Sequence, residues 1–162
     1  MGNERIAEVN EIIVQSKAGL RPGSSTAKEL QEGLPTILAK CTEESGEFLR
    51  ALIWQEADQI NIECSQLVYH ILAFRVFQDR GDIREIVLGL DDRASESRSI
   101  PDTLEVAIDT CYRNLAKTYR VFLSPESTNE DVNSTIVTTF WSFQDAMAAA
   151  GKGSWNSMLE KI

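Results

Sequence analysis

Apolar residues return every three to four positions along almost the whole chain, a period that a strand cannot satisfy and that commits the backbone to amphipathic α-helices. Ile6, Val9, Ile12 and Ile13 mark a first helix that ends before the turn signals of Lys17 to Ser24. Ser24 or Ser25 caps a short helix, Thr26 to Glu32, which Gly33 closes. Pro35 suits the first turn of a long helix from Leu34 to about Trp54, where its missing N–H costs nothing. Another long helix covers roughly Glu56 to Asp79, with Gly81 as its stop, and Ile83, Ile86, Val87 and Leu90 outline a short one. The polar stretch Asp91 to Pro101 lacks any period and reads as a linker. Beyond it run two stripes, Leu104, Ile108, Cys111, Leu115, Tyr119 and Phe122, then Val132, Ile136, Phe140, Phe143 and Met147, the second starting near Thr128 or Asn129. Gly151 to Gly153 interrupts the chain before a short tail helix. The expected fold is an all-α helical bundle. Residues 1–93 form one helical domain, and 102–162 form a C-terminal extension that packs on it or makes an oligomer interface.

With 43% apolar residues the chain has ample material for a core. Its net charge of −9 argues against nucleic acid, whose phosphates need clustered Lys and Arg. No window is long and apolar enough to span a membrane, and the N-terminus has no uninterrupted apolar stretch of the signal-peptide kind. Cys41, Cys64 and Cys111 are odd in number and widely spaced within helical patterns, so they read as buried free thiols of a reducing compartment. A cytoplasmic location is expected. Trp54, Trp141 and Trp155 read as packing residues.

Acidic residues interrupt two of the stripes. Leu34, Ile37, Cys41, Glu44, Phe48 and Ala51 share one helix face, with Glu47 one turn beyond Glu44 and Glu43 four positions before Glu47. On the following helix Glu63 breaks the series Ile60, Leu67, Ile71 and Phe74, with Gln66 and His70 on the next turns. Spacing alone leaves two readings open. Glutamates at a stripe margin reach outward into water; glutamates held inside a seam require a cation, because an unpaired buried carboxylate costs several kcal/mol. Facing carboxylates of two packed helices would suit Mg²⁺, a hard cation that keeps some of its waters. By the same bland reading His70 is a hydrogen-bonded boundary residue, and Lys40 and Arg50 are surface charges beside an acidic patch.

SSTAKELQEG (Ser24–Gly33), KCTEESGE (Lys40–Glu47) and ECSQLVYHILAF (Glu63–Phe74) occur in that order. Together they resemble the Ser-x-Thr-Ala, Lys-x-x-Glu-Glu-x-x-Glu and Glu-x-x-Asp-Leu-x-Tyr-His segments of phosphoribosyl-ATP pyrophosphatase, within the MazG-like all-α nucleotide pyrophosphohydrolase superfamily. The resemblance covers Lys17 to Leu90, a little under half the chain. It implies hydrolysis of an α–β phosphoanhydride, with release of pyrophosphate, by a protein that binds Mg²⁺ or Mn²⁺ and assembles as a homodimer or higher oligomer. It implies Glu44, Glu47 and Glu63 as metal ligands, Glu43 as a further metal-site or water-activating acid, and Lys40 as a phosphate contact. The family's aspartate is Gln66 here, whose amide oxygen can ligate the metal but brings no charge. Asp58 lies on nearly the opposite side of the helix from Glu63, and Glu56 lies about 10 Å away along the axis. Asp91–Ile162 matches nothing in the family pattern. The expected function is a Mg²⁺-dependent pyrophosphohydrolase acting on phosphoribosyl-ATP or a related nucleoside triphosphate. The alternatives are a helical scaffold or regulatory protein that has lost turnover, and a MazG-like enzyme of nucleotide-pool housekeeping.

Overall fold

The computed structural model describes residues 3–54, 57–94 and 101–162. Among them the helical period is realised throughout, with no strand, as α1 (Glu4–Lys17), α2 (Ser25–Glu32), α3 (Leu34–Trp54), α4 (Ala57–Phe77), α5 (Ile83–Ala94), α6 (Leu104–Leu123), α7 (Asn129–Ala150) and α8 (Trp155–Leu159). The all-α architecture follows from the patterning.

Helix α4 is the axis of the bundle. Ile60, Cys64, Leu67, Val68, Ile71, Leu72, Ala73 and Phe74 are all fully buried, so it is apolar around most of its circumference, and α1, α2, α3, α7 and α8 all pack on it. Phe74 stacks on Phe122 of α6 at 4.4 Å between ring centroids, and Phe48 of α3 meets Phe143 of α7 edge-on at 5.0 Å. Each such ring contributes about 2 kcal/mol by leaving water.

The ends of the helices are set by local chemistry. The Ser24 hydroxyl accepts from the Ala27 N–H at 3.1 Å to start α2, and Gly33 closes it at φ 83°. A reciprocal capping box of Thr128 and Asp131 starts α7. The Lys17 ammonium donates to the Val76 and Phe77 carbonyls at 2.8 and 3.0 Å, placing a cation on the negative C-terminal end of α4.

The tail returns to the beginning of the bundle. Trp155 Nε1 donates to Asn3 Oδ1 at 2.8 Å, Arg5 donates to the Ile162 carbonyl at 3.0 Å, and the Ser154 N–H donates to Asn61 Oδ1 at 3.0 Å. Gly153 makes this approach possible: at φ 78°, a Cβ there would stand 3.0 Å from Ile60 Cγ2.

The expected linker begins too early, since α5 runs through Asp91 to Ala94. Its polar last turn continues a helix whose apolar face is already docked, and Asn3 Nδ2 donates to Asp91 Oδ1 at 2.7 Å. The remainder of that stretch, 95–100, and Glu56 at the expected start of α4 lie outside the described residues. Trp141 is buried, as is one face of Trp155, but Trp54 is 65% exposed and is no core residue. It falls in the last turn of α3, at the edge of the cleft it shares with Gln59 and Glu63 of α4. The three cysteines are free and buried. No described helix is long and apolar enough to cross a membrane.

Candidate metal centre in the seam of α3 and α4

The contacts between α3 and α4 run antiparallel: Glu47 faces Glu63, Glu44 faces Gln66, and Lys40 borders the same cleft as His70. That register follows from the stripes, because burying Ile37, Cys41, Phe48 and Leu52 against Ile60, Cys64, Leu67 and Ile71 leaves the interrupting acids at one edge of the seam. Glu44, Glu47 and Glu63 each offer a carboxylate oxygen within 4.8 Å of the others. Glu44 is buried, 7% exposed, and its two companions are half-buried.

The electrostatics are those of crowded acids, with positive groups only at their margin. Burial pushes the Glu44 carboxyl above the ordinary carboxylate range; His70 opposes this, and Glu47 and Glu43 add to it. Burial likewise raises Glu63, helped by the charges of Glu47 and Glu44. Arg50 lies 3.8 Å from Glu47 at the rim, and its guanidinium sits 5.5 Å from the Trp54 ring.

Gln66 completes the cluster. Its amide lies against Glu44 Oε2 and Glu63 Oε2, at 2.7 and 3.3 Å when the nitrogen faces them and donates to both. With the oxygen facing them, three acceptors converge, a contact that a cation or a protonated carboxyl reconciles. The donor set therefore fits Mg²⁺ or Mn²⁺: all oxygen, three of the four donors anionic, gathered on two rigid helices.

Glu43 stands outside this trio. It is exposed, and Lys40 Nζ pairs with its Oε2 at 2.7 Å. That bond holds the Glu43 carboxyl below its usual range and the Lys40 ammonium above its own. Lys40 also borders a cleft of about 370 Å³ with Ser25, Lys28 and Glu29 of α2 and with His70, while a smaller one of about 180 Å³ lies at the other end of the trio, against Arg50 and Trp54.

The periodicity did not mark Glu29 or Trp54 as site residues. Glu29 sits on a short helix whose docking angle no repeat within it can reveal, yet its Oε1 lies 3.0 Å from His70 Nδ1. The Ser-x-Thr-Ala segment was a usable signal, since Thr26 of that helix is hydrogen-bonded to the Tyr69 hydroxyl beside His70.

Comparison with known proteins bears on this arrangement. Over 73 residues, 45% of this chain and 69% of the relative, the sequence is 36% identical to the phosphoribosyl-ATP pyrophosphatase of Lactiplantibacillus plantarum. It is 30% identical to that of Saccharolobus solfataricus over 78 residues, 48% of this chain and 83% of the relative. The chain belongs to the phosphoribosyl-ATP pyrophosphatase family. A third phosphoribosyl-ATP pyrophosphatase, from Bifidobacterium animalis subsp. lactis, is 37% identical over 69 residues, 43% of this chain and 77% of the relative. No family model matches the chain, and no solved structure matches it. Each phosphoribosyl-ATP pyrophosphatase aligns with less than half of the 162 residues, so this member of the family carries a large segment beyond the shared one.

Proposed function

We propose that this protein is a Mg²⁺-dependent nucleotide pyrophosphohydrolase that releases pyrophosphate from phosphoribosyl-ATP or a closely related nucleoside triphosphate. The observation that carries the reading is the convergence of Glu44, Glu47 and Glu63 within 4.8 Å in the α3–α4 seam of a chain from this family. Carboxylate oxygens of these three residues would hold the cation, with the Gln66 amide oxygen as a neutral fourth donor. When bound, Mg²⁺ would neutralise the polyphosphate and favour formation of a nucleophilic hydroxide from water. In the overall reaction the water oxygen bonds to the α-phosphorus, the bond from that phosphorus to the α–β bridging oxygen breaks, and pyrophosphate leaves. Glu43, ionised at the rim of the trio, is the carboxylate available to take the water's proton at Oε1 or Oε2. Lys40, now paired with Glu43, would turn to a phosphate oxygen of the substrate, freeing that carboxylate as it does so.

Pyrophosphate release from phosphoribosyl-ATP and a panel of nucleoside triphosphates, with and without Mg²⁺, tests the reading. Turnover is expected only with the metal, and Glu44→Ala should lower kcat by at least about a hundredfold. Turnover that survives both EDTA and Glu44→Ala would refute the assignment.

One observation favours a second reading, a helical regulatory protein without turnover. With its nitrogen turned toward them, the Gln66 amide donates to Glu44 and Glu63, the contacts that a cation would otherwise make. On that reading the natural chain is inactive across the panel and Gln66→Asp creates activity by restoring a charged donor.

We further propose a homodimer. Ile53, Trp54, Val106 and Tyr112, on α3 and α6, stand 54–65% exposed, an apolar area that a second copy would cover.

A further inference from the structure

The function proposed above gives no task to Glu29 or His70, although both are enclosed, with side chains only 10% and 13% exposed. Burying a carboxylate beside an imidazole is costly unless the pair is engaged. The imidazole stands between two acids on two different helices: Nδ1 lies 3.0 Å from Glu29 Oε1 of α2, and Nε2 lies 3.9 Å from Glu44 Oε1 of α3. Its plane is fixed from a third side by the Tyr69 ring, edge-on at 5.4 Å between centroids, whose hydroxyl is bonded to Thr26 of α2. Lys40 is the one other charged group of α3 that borders the cleft beside this ring.

The two oxygens of Glu44 face different neighbours. Oε1 faces the His70 ring, whereas Oε2 faces Gln66 and, through it, Glu63. A free glutamate in such a seam would turn about its terminal torsion, which is broad and roughly two-fold, and present either oxygen or both. We infer that His70, aligned by Glu29, is a positioning residue that retains Glu44 Oε1 and so presents Oε2 alone to the cation held by the trio. The pair connects α2, which bears no ligand, to the metal centre, and it makes Glu44 a one-oxygen ligand. Outer partners of this kind orient ligands and set affinity.

The inference rests on the trio holding a cation, so the test begins with Mn²⁺ alone. Isothermal titration of the full chain with Mn²⁺ at one fixed pH would compare the natural protein, His70→Phe, Glu29→Gln and the double variant. Melting in EDTA shows whether each is folded. His70→Phe, which keeps the ring volume, is expected to weaken Mn²⁺ binding about tenfold. Glu29→Gln, which touches no member of the trio, should weaken it less, and should cost nothing more in the His70→Phe background, because its effect passes through the ring. His70→Gln, with an amide nitrogen at the reach of Nε2, should recover part of the loss. A merely structural role would lower the melting temperature and leave the affinity of the folded protein unchanged. Equal affinities in the natural protein, His70→Phe and Glu29→Gln would overturn the positioning role while leaving the metal centre standing. An undiminished Glu29→Gln effect in the double variant would do the same. Absence of Mn²⁺ binding to the natural protein would remove both this role and the metal-dependent function.

Discussion

Glu44 concentrates the behaviour of the site in one side chain. Burial, with Glu47 and Glu43 nearby, holds its carboxyl above the ordinary carboxylate range. The metal-free folded protein therefore binds that proton more tightly than the unfolded chain does. The stability associated with the protonated form is fully present below the ordinary carboxylate pKa and is lost as pH rises through the raised value. Glu63 behaves in the same direction, for the same first cause. Glu44→Gln, which removes the charge and keeps the size, should thus raise the melting temperature in EDTA near pH 7, and the gain should shrink as pH falls toward about 4. Saturating Mg²⁺ should reverse the ranking at neutral pH, because the natural protein gains stability by mass action and the variant gains less. Melting curves at several pH values, with EDTA or Mg²⁺, read both signs. Gln66 belongs to the same account: an amide can answer the carboxylates with its nitrogen or a cation with its oxygen, whereas aspartate could do only the second.

At the scale of helices, the α3–α4 pair was the most legible part of the molecule. The stripes of Ile37, Cys41 and Phe48 and of Ile60, Leu67 and Ile71 contain their own register, which points Glu43, Glu44, Glu47 and Glu63 toward one cleft; the last three converge there and Glu43 does not. The residues that escaped notice are those brought in by other elements. Glu29 reaches His70 only because α2 lies across the pair, and Trp54 stands exposed at the end of α3 among the described residues. Position along a helix constrains which face a residue occupies, but not whether that face finds a partner. The joints between elements are equally specific. Lys17 closes two orphan carbonyls at the end of α4 and pairs with Asp79 at 2.7 Å. Lys17→Met should keep the fold and lower its stability by about 1 kcal/mol, seen as a lower urea midpoint with an unchanged slope. An unchanged midpoint would mean that water serves those carbonyls equally well.

Across the whole molecule, the segment beyond the family's motifs is built into the bundle. Helix α7 packs on α4 and α5, and the tail helix α8 packs on α4 and is tied to Asn3. Arg75, 2% exposed in the middle of this assembly, donates to Asn10 of α1 and Asn133 of α7, each at 3.2 Å, so one side chain joins three helices. The exposed apolar side chains on α3 and α6 are among those that this packing leaves uncovered. Light scattering at micromolar concentration should return twice the 18.1 kDa chain mass, and charged substitutions at Val106 and Tyr112 should return it to one. A monomeric natural protein would remove the dimer from the proposal.

The helices, most of their ends and the acidic edge of one seam are consequences of local order: a 3.6-residue period, a few capping side chains and a glycine at positive φ after α2 act within a handful of residues, and so can be read one stretch at a time. The path of α2 over His70, the exposure of Trp54, the separation of Glu43 from the trio and the return of the tail to Asn3 depend on which surfaces meet. Such meetings are settled by the shapes and areas of all the helices at once, and no single stretch of chain contains that information.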